Sequence, residues 1–248
     1  IKSSCGDETD IQTCAHNDIE YIERQLKIAN GRPVFYIADG AYSMGGYALI
    51  EELKALQEQY GLYLYFDDSH SISVYGNNGV GFIRDSYQTL HPRTIVVASL
   101  GKAFGATGGV VLLGNPQDKK MIDIFAGPMG WSQTANVAAL GAIKASVQIH
   151  LSQELNLLQQ KLKQVMDYFD TQIPTRNANN NLPIRVVGLS EPEKAIEASK
   201  SIYDQGFYTS AVFFPILPRG SAGLRVMGRA DLSENDIDAF CQAIKSLS

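Results

Sequence analysis

The sequence contains 248 residues, of which 45% are hydrophobic and 19% charged, and its formal net charge is −5 at pH 7. A chain of this length can bury a substantial core, either in one large α/β domain or in a large and a small domain. The composition is that of a folded globular protein and excludes an intrinsically disordered one. The negative charge, without any run of Lys and Arg residues, argues against nucleic acid as a partner.

The sequence contains no stretch of roughly 20 apolar residues, so we predict no membrane-spanning helix. Its first ten residues, IKSSCGDETD, are polar and show no signal peptide, which favours a cytoplasmic location. The three cysteines, Cys5, Cys14 and Cys241, have no paired C-x-x-C spacing. Neither a disulfide framework nor a zinc site is therefore predicted.

Helices and strands alternate in the first part of the chain. A first helix is predicted to begin at Asn17, as the N-cap, with Glu20 at the N3 position and apolar residues following at helical spacing. Residues 33–39 form a short apolar run that is typical of a buried strand followed by a turn. A second helix is predicted over residues 47–61 and ends at Gly61, a residue type that favours the backbone conformation found after helices.

Two further apolar runs follow, at residues 62–66 and 94–100. Strands that are apolar on both faces and alternate with helices indicate a parallel sheet covered on both sides. In such sheets the ligand site lies beyond the carboxyl ends of the strands. The polar residues at these ends are Asp39, Asp67, Ser99 and Lys102.

The second part of the chain shows a different pattern. An Ala-rich helix is predicted over residues 133–150, and a long amphipathic helix starts near Ser152. An Asn-rich loop follows, and beyond it short strands and helices lead to a closing helix that begins with Ser233 and Asp236, a capping pattern.

These patterns predict an α/β protein with a domain boundary near residue 150. We expect residues 1–150 to belong to a large domain with a mostly parallel sheet. We expect residues 151–248 to form a small α+β domain.

Lys102 directly follows a predicted strand, inside the glycine-flanked segment SLGKAFGATGG. A loop lysine is most often a solvated surface group. A lysine that desolvation keeps unprotonated can instead form an imine with a carbonyl cofactor such as pyridoxal phosphate. That cofactor acts as an electron sink only while its ring nitrogen stays protonated, which requires a fixed carboxylate. Asp67, at the end of the neighbouring strand, can supply the carboxylate, although such a residue is more often a cap or a turn residue.

Four more side chains are candidates for the same site. His70 can donate to the phenolic oxygen of the cofactor or stack nearby, although an isolated loop histidine is usually incidental. The hydroxyl of Ser99 can reach the cofactor phosphate or simply bond to backbone. Arg225 offers a planar fork that fits a carboxylate, and Arg229 nearby is the alternative, so the choice between these two arginines stays open.

Together with motifs along the whole chain, these residues resemble the α-oxoamine synthase family of fold-type I pyridoxal-phosphate enzymes. The family includes aminooxononanoate synthase, glycine C-acetyltransferase, aminolevulinate synthase and serine palmitoyltransferase. The motifs are HND at 16–18, DGAYSMGG at 39–46, DDSHSISVYGNNGVG at 67–81, SLGKAFGATGG at 99–109 and GLRVMGRADLSENDID at 223–238. The resemblance implies the aspartate aminotransferase-like fold of pyridoxal-phosphate transferases.

The resemblance also implies roles for three residues next to the cofactor ring. Lys102 corresponds to the lysine that forms the Schiff base and then serves as the acid and base. Asp67 corresponds to the partner of the pyridine nitrogen. His70 corresponds to the histidine near the phenolic oxygen.

Three further positions match residues that bind the phosphate or the substrate. Ser99 corresponds to the phosphate-binding Ser/Thr, Ser43 to a polar contact near the ring, and Arg225 to the arginine that binds the amino-acid carboxylate. The resemblance implies an acyltransferase that condenses an amino acid with an acyl thioester to a 2-amino ketone. It also implies a homodimer with the site at the subunit interface.

The family has an N-terminal section, with a glycine-rich loop and a residue that stacks on the cofactor ring, that has no counterpart in this sequence. We therefore expect the large domain to be incomplete here. Two alternatives stay open. One is a pyridoxal-phosphate aminotransferase or carbon–carbon lyase, because Lys102 and Asp67 serve these reactions equally. The other is a truncated, non-catalytic chain that acts as a binding partner.

Overall fold

A computed structural model describes residues 6, 8–127, 132 and 134–247. Within these residues, a four-stranded sheet has the order β1-β2-β3-β4, in which β1, β2 and β3 are parallel and β4 is antiparallel to β3. Its strands are β1 (Phe35–Asp39), β2 (Tyr63–Asp67), β3 (Thr94–Ser99) and β4 (Gly109–Leu113). The helices of this part are α1 (Ile19–Ala29), α2 (Ile50–Tyr60), α3 (Phe82–Ser86) and α4 (Asp118–Phe125).

Two consecutive helices lead to a second, smaller sheet. They are α5 (Val137–His150) and α6 (Gln153–Gln172). The described strands of the second sheet are β5 (Ile184–Gly188), β6 (Ser210–Val212) and β7 (Gly223–Met227), in the antiparallel order β5-β7-β6. Helices α7 (Pro192–Asp204) and α8 (Glu234–Lys245) belong to this part of the chain.

Helix ends follow the predicted chemistry at most positions, but the N-cap of α1 was predicted one residue too early. Asp18 is the N-cap, and its carboxylate accepts from the backbone N–H of Tyr21 at 2.9 Å. Asn17 has a φ of 56°, outside the extended conformation of an N-cap, and its side chain donates to the carbonyl of Tyr47. By contrast, Gly61 ends α2 in the left-handed conformation, as predicted.

The predicted starts of the two later helices are confirmed. Ser152 caps α6, with its hydroxyl accepting from the N–H of Glu154. Ser233 and Asp236 form a reciprocal capping box at the start of α8. These short-range signals succeed because each cap satisfies backbone donors within three residues of itself.

One face of the first sheet is buried against α1 and α2. Leu64, Phe66 and Val96 are at most 1% exposed, and they join a hydrophobic cluster with Leu26 of α1 and Leu53 of α2. Burying an aliphatic or aromatic side chain of this kind contributes about 1.5–3 kcal/mol. The cluster therefore fixes the orientation of the sheet against its helices.

The opposite face of the first sheet is open within the described residues. Phe35, Ile37 and Val111 point to this face and are 56%, 43% and 48% exposed. The prediction of a sheet covered on both sides is therefore wrong for this part of the chain. Because side chains alternate along a strand, Asp39 and Asp67 lie on the same open face, at the carboxyl ends of β1 and β2.

The second sheet has its own hydrophobic cluster, formed with α6, α7 and α8. Leu224 of β7 and Ile202 of α7 are fully buried in it. Arg185 of β5 is also fully buried, and Asp170 of α6 pairs with it through two hydrogen bonds of 2.7 Å. The boundary near residue 150 stays a prediction. No helix in the described part of the chain is long and apolar enough to cross a bilayer.

Candidate active site

The carboxyl ends of the parallel strands bring the predicted polar residues to one edge of the first sheet. Asp39 ends β1 and lies in register beside Asp67, which ends β2. Ser99 ends β3, and the chain then turns so that Lys102 follows within three residues. His70 lies three residues beyond Asp67 and contacts Lys102. Five polar residues noted in the sequence thus lie at a single edge.

Lys102 and His70 form a direct polar contact, with 2.9 Å between Nζ and Nε2. When Lys102 is protonated its amine has only donors, so Nε2 accepts from it and the ring proton of a neutral His70 lies on Nδ1. The pKa of His70 is lowered to about 4; burial is the largest cause, and the positive charges of Lys102 and Arg225 act in the same direction against the opposing effect of Asp67. His70 is therefore neutral at pH 7.

The pKa of Lys102 is also lowered from its ordinary value. Partial burial is the largest cause, and the charge of Arg225 acts in the same direction. The carboxylates of Asp67 and Asp39 oppose this shift. A lower pKa increases the fraction of unprotonated amine, which is the nucleophilic form of a lysine.

The carboxylate of Asp67 is fixed on one side and open on the other. Its Oδ1 accepts from the backbone N–H of Ser69 at 2.9 Å. Its other oxygen has no hydrogen-bond partner within the described residues, and the residue is exposed at the edge of the sheet. The position offers an oriented carboxylate oxygen to a cationic or protonated group.

Ser99 takes part in the turn that leads to Lys102. Its hydroxyl oxygen accepts from the backbone N–H of Gly101 at 3.1 Å, while its own N–H donates to the hydroxyl of Ser69 at 2.7 Å. The hydroxyl hydrogen of Ser99 is still available as a donor. The role of Ser99 at a phosphate stays a prediction.

Arg225 joins the second sheet to this edge. Its Nε donates to the backbone carbonyl of Ser43 at 2.8 Å, across 182 positions of sequence. Burial lowers its pKa, and its charge acts on both His70 and Lys102. Arg229 is instead exposed and forms two hydrogen bonds, of 2.9 and 2.8 Å, with the carboxylate of Asp231. Of the two candidate arginines, Arg225 is therefore the one that lies near Lys102.

Two acidic residues of this region had no predicted role. Asp39 was noted only as a strand end, and burial together with the charge of Asp67 raises its pKa. Asp68 is fully buried behind the edge, where Oδ2 accepts from the N–H of Ile83 at 2.9 Å. Burial raises the pKa of Asp68 to about 6. The sequence could not show that the adjacent carboxylates of Asp67 and Asp68 differ in burial, with Asp67 exposed and Asp68 buried.

Comparisons with known proteins agree with the motifs. The model of the aminotransferase class I and II family matches residues 7–244. An 8-amino-7-oxononanoate synthase of Saccharophagus degradans is 28% identical over 233 residues, which cover 92% of this chain and 58% of that protein. The 8-amino-7-oxononanoate synthase of Petrotoga mobilis is 31% identical, covering 90% of this chain and 58% of that protein.

The fold also matches solved structures. A serine palmitoyltransferase from S. paucimobilis, solved with bound pyridoxal phosphate and myriocin, superposes with a TM-score of 0.82 at 19% identity, over 94% of this chain and 59% of that one. The predicted fold class is confirmed. This chain spans about three-fifths of the length of the curated relatives it matches. Its motifs and the curated relatives named above are similar to the α-oxoamine synthases. The chain belongs to the aminotransferase class I and II family.

Proposed function

We propose that this chain is the lysine-bearing part of a pyridoxal-phosphate acyltransferase, which condenses an amino acid with an acyl thioester to a 2-amino ketone. The contact between Lys102 and a neutral His70, beside the carboxylate of Asp67, is the observation that carries the proposal. The relatives named 8-amino-7-oxononanoate synthase support this reaction type.

The residues present at the edge fit pyridoxal phosphate by their chemistry. Lys102 offers an amine of lowered pKa, and Asp67 offers a carboxylate oxygen without a partner in the described chain. Ser99 would hold the phosphate through its hydroxyl, and Ser43 would approach the ring. When bound, this cofactor supplies the electron sink that stabilises a carbanion on the amino acid.

Lys102 would move the proton at the reacting carbon. Its lowered pKa brings the amine closer to the range in which it can both accept and return a proton near neutral pH. His70, held neutral by burial and by neighbouring cations, would keep Nε2 as an acceptor that orients Nζ. In this pair Lys102 would transfer the proton, and His70 would hold the amine in place as a hydrogen-bond acceptor.

Arg225 would bind the carboxylate of the amino acid. Its Nε is already held by the carbonyl of Ser43, which orients the guanidinium and leaves its terminal nitrogens for a planar anion. Arg229 is less suited, because its own fork is occupied by Asp231.

The test is a product assay with the purified protein and added pyridoxal phosphate. Glycine, L-alanine and L-serine are each combined with acetyl-coenzyme A or a long-chain acyl-coenzyme A, and thiol release and 2-amino ketone are both measured. Condensation gives both products without any keto acid. An aminotransferase would instead require a keto-acid acceptor, and a binding partner without catalysis would give neither product.

We propose further that the protein acts as a homodimer in the cytoplasm. The apolar side chains of Val137, Leu140 and Leu151 along and after α5 are 85%, 53% and 72% exposed, which supports a protein partner for this face. Light scattering at several concentrations tests the dimer, since a monomer at all concentrations would contradict it.

A further inference from the structure

Ser69 lies between the ends of the two strands that carry the candidate cofactor residues. It is 4% exposed and follows β2 by two residues. Its backbone N–H donates to Oδ1 of Asp67 at 2.9 Å. Its hydroxyl oxygen accepts from the backbone N–H of Ser99, the last residue of β3, at 2.7 Å. One residue therefore contacts both strand ends.

A second hydrogen bond connects Ser99 to the loop that contains Lys102. The hydroxyl of Ser99 accepts from the N–H of Gly101, the residue immediately before Lys102. The N–H of Ala106 donates to the carbonyl of Leu100, which closes the same loop. The position of the Lys102 backbone thus depends on where the end of β3 is held.

The ladder between β2 and β3 explains why a side chain is needed here. The last backbone hydrogen bond at this end joins the N–H of Asp68 to the carbonyl of Val97. Beyond that bond the chain turns away, and the N–H of Ser99 is met by the Ser69 hydroxyl instead of a backbone carbonyl. The hydroxyl thus extends the strand pairing by one side-chain hydrogen bond.

We infer that Ser69 is a positioning residue that sets the spacing between the Asp67 carboxylate and the Lys102 amine through Ser99. The catalytic importance of this spacing rests on the proposed function, in which Asp67 and Lys102 bind two different atoms of the same cofactor. Ser69 itself does not touch the reacting atoms. A cofactor bound at both ends requires a fixed distance between them, and a loosened strand end weakens both contacts together.

Ser71 provides a matched control in the same segment. It is also a buried serine, fully inaccessible, and its hydroxyl accepts from the N–H of Phe82 at 2.7 Å. Ser69→Ala and Ser71→Ala therefore each remove one buried hydroxyl that accepts one backbone N–H. The Ser71 hydroxyl also donates to the carbonyl of Asp68 at 3.3 Å. We expect both substitutions to lower stability, but only the Ser69 hydroxyl accepts from the strand end that leads to Lys102.

The experiment compares both variants with the wild type in two measurements. The first is the affinity for pyridoxal phosphate, followed by the visible band of the lysine-bound cofactor and by the pH at which that band changes. We expect about tenfold weaker binding and a shifted pH midpoint in Ser69→Ala alone. The second, without cofactor, is the NMR titration of His70, whose midpoint moves in Ser69→Ala because its spacing from Lys102 changes.

The outcomes separate this inference from the function it rests on. Equal changes in the two variants, or wild-type behaviour of Ser69→Ala in both measurements, would overturn the positioning role. If the wild type forms no band with pyridoxal phosphate, the proposed function fails, while the His70 titration still decides whether Ser69 sets the spacing at Lys102.

Discussion

The amine of Lys102 lies 2.9 Å from Nε2 of His70, although the two residues are 32 positions apart in the sequence. Lys102 follows β3 and His70 follows β2, so the contact depends on the parallel pairing of these two strands. It joins a lysine of lowered pKa to a histidine whose pKa lies near 4. The electrostatics of the pair give the first prediction.

His70 is expected to titrate near pH 4 in the folded protein without cofactor. Lys102→Met should raise this midpoint part of the way toward the ordinary value of 6.5, because it removes one neighbouring cation while burial persists. NMR detection of the His70 ring measures both values, with His70→Asn to assign the signal. A wild-type midpoint near 6.5, unchanged by Lys102→Met, would contradict the contact.

Asp68 should give the protein a pH-dependent stability of known sign. Burial raises its pKa from 3.8 to about 6, so the folded state binds the proton more tightly than the unfolded state between these values. Its contribution to stability is complete below pH 3.8 and is lost as the pH rises through about 6.

Asp68→Asn removes this dependence because the amide does not ionise. Between pH 3.8 and about 6, the free energy of unfolding of the wild type should fall relative to that of Asp68→Asn, by at most ~1.4 kcal/mol per pH unit. Urea unfolding across this range measures the difference, with the exposed Asp204→Asn as control. Parallel curves for the wild type and Asp68→Asn would show that Asp68 does not titrate there.

Arg225→Lys is expected to weaken amino-acid binding by about 30-fold, because lysine cannot offer the planar fork to a carboxylate. Arg229→Lys, which affects an exposed residue already paired with Asp231, should bind amino acids as the wild type does. The measurement is a spectroscopic titration of the cofactor-loaded protein with glycine, L-alanine and L-serine. A larger loss in Arg229→Lys than in Arg225→Lys would reverse the assignment of the carboxylate ligand.

Gly40→Ala should destabilise the fold at the end of β1 by about 1–3 kcal/mol. A Cβ at this position would lie 2.6 Å from Oδ1 of Asp68 and would also press on Cγ1 of Ile83. Gly141→Ala is the control, because a Cβ there meets no atom within 4 Å. Gly141 lies inside α5, so alanine should stabilise by up to about 1 kcal/mol. Equal unfolding free energies for the two variants would contradict this packing.

The sequence alone was sufficient for the parts of the fold that depend on local signals. The apolar runs before Asp39 and Asp67 predicted strands at nearly their observed bounds, because a parallel strand is apolar along its whole length. Strand β4 was not predicted, although residues 109–113 are apolar, because it directly follows the glycine-rich loop in which Lys102 lies. The open face of the sheet was also not predicted, since an apolar run does not show whether other elements pack against both faces of its strand.

The sequence predicted that several polar residues lie together at the strand ends, but not the geometry between them. Motif resemblance singled out Lys102, Asp67 and His70, yet nothing in their spacing predicted the contact between Lys102 and His70. No role was predicted for Ser69, because its hydroxyl acts through a hydrogen bond to the end of another strand, which the sequence does not show. Our proposal of Arg225 rather than Arg229 rests on the ion pair between Arg229 and Asp231, which only the folded chain reveals.

We expect Lys102 to bind pyridoxal phosphate covalently. The most direct measurement is an absorbance scan of the protein with added cofactor, followed by borohydride reduction and peptide mass analysis, for the wild type and for Lys102→Ala. We expect a visible band in the wild type, a cofactor adduct on the peptide that contains Lys102, and loss of both in Lys102→Ala. A band that survives Lys102→Ala, or an adduct on another lysine, would contradict it.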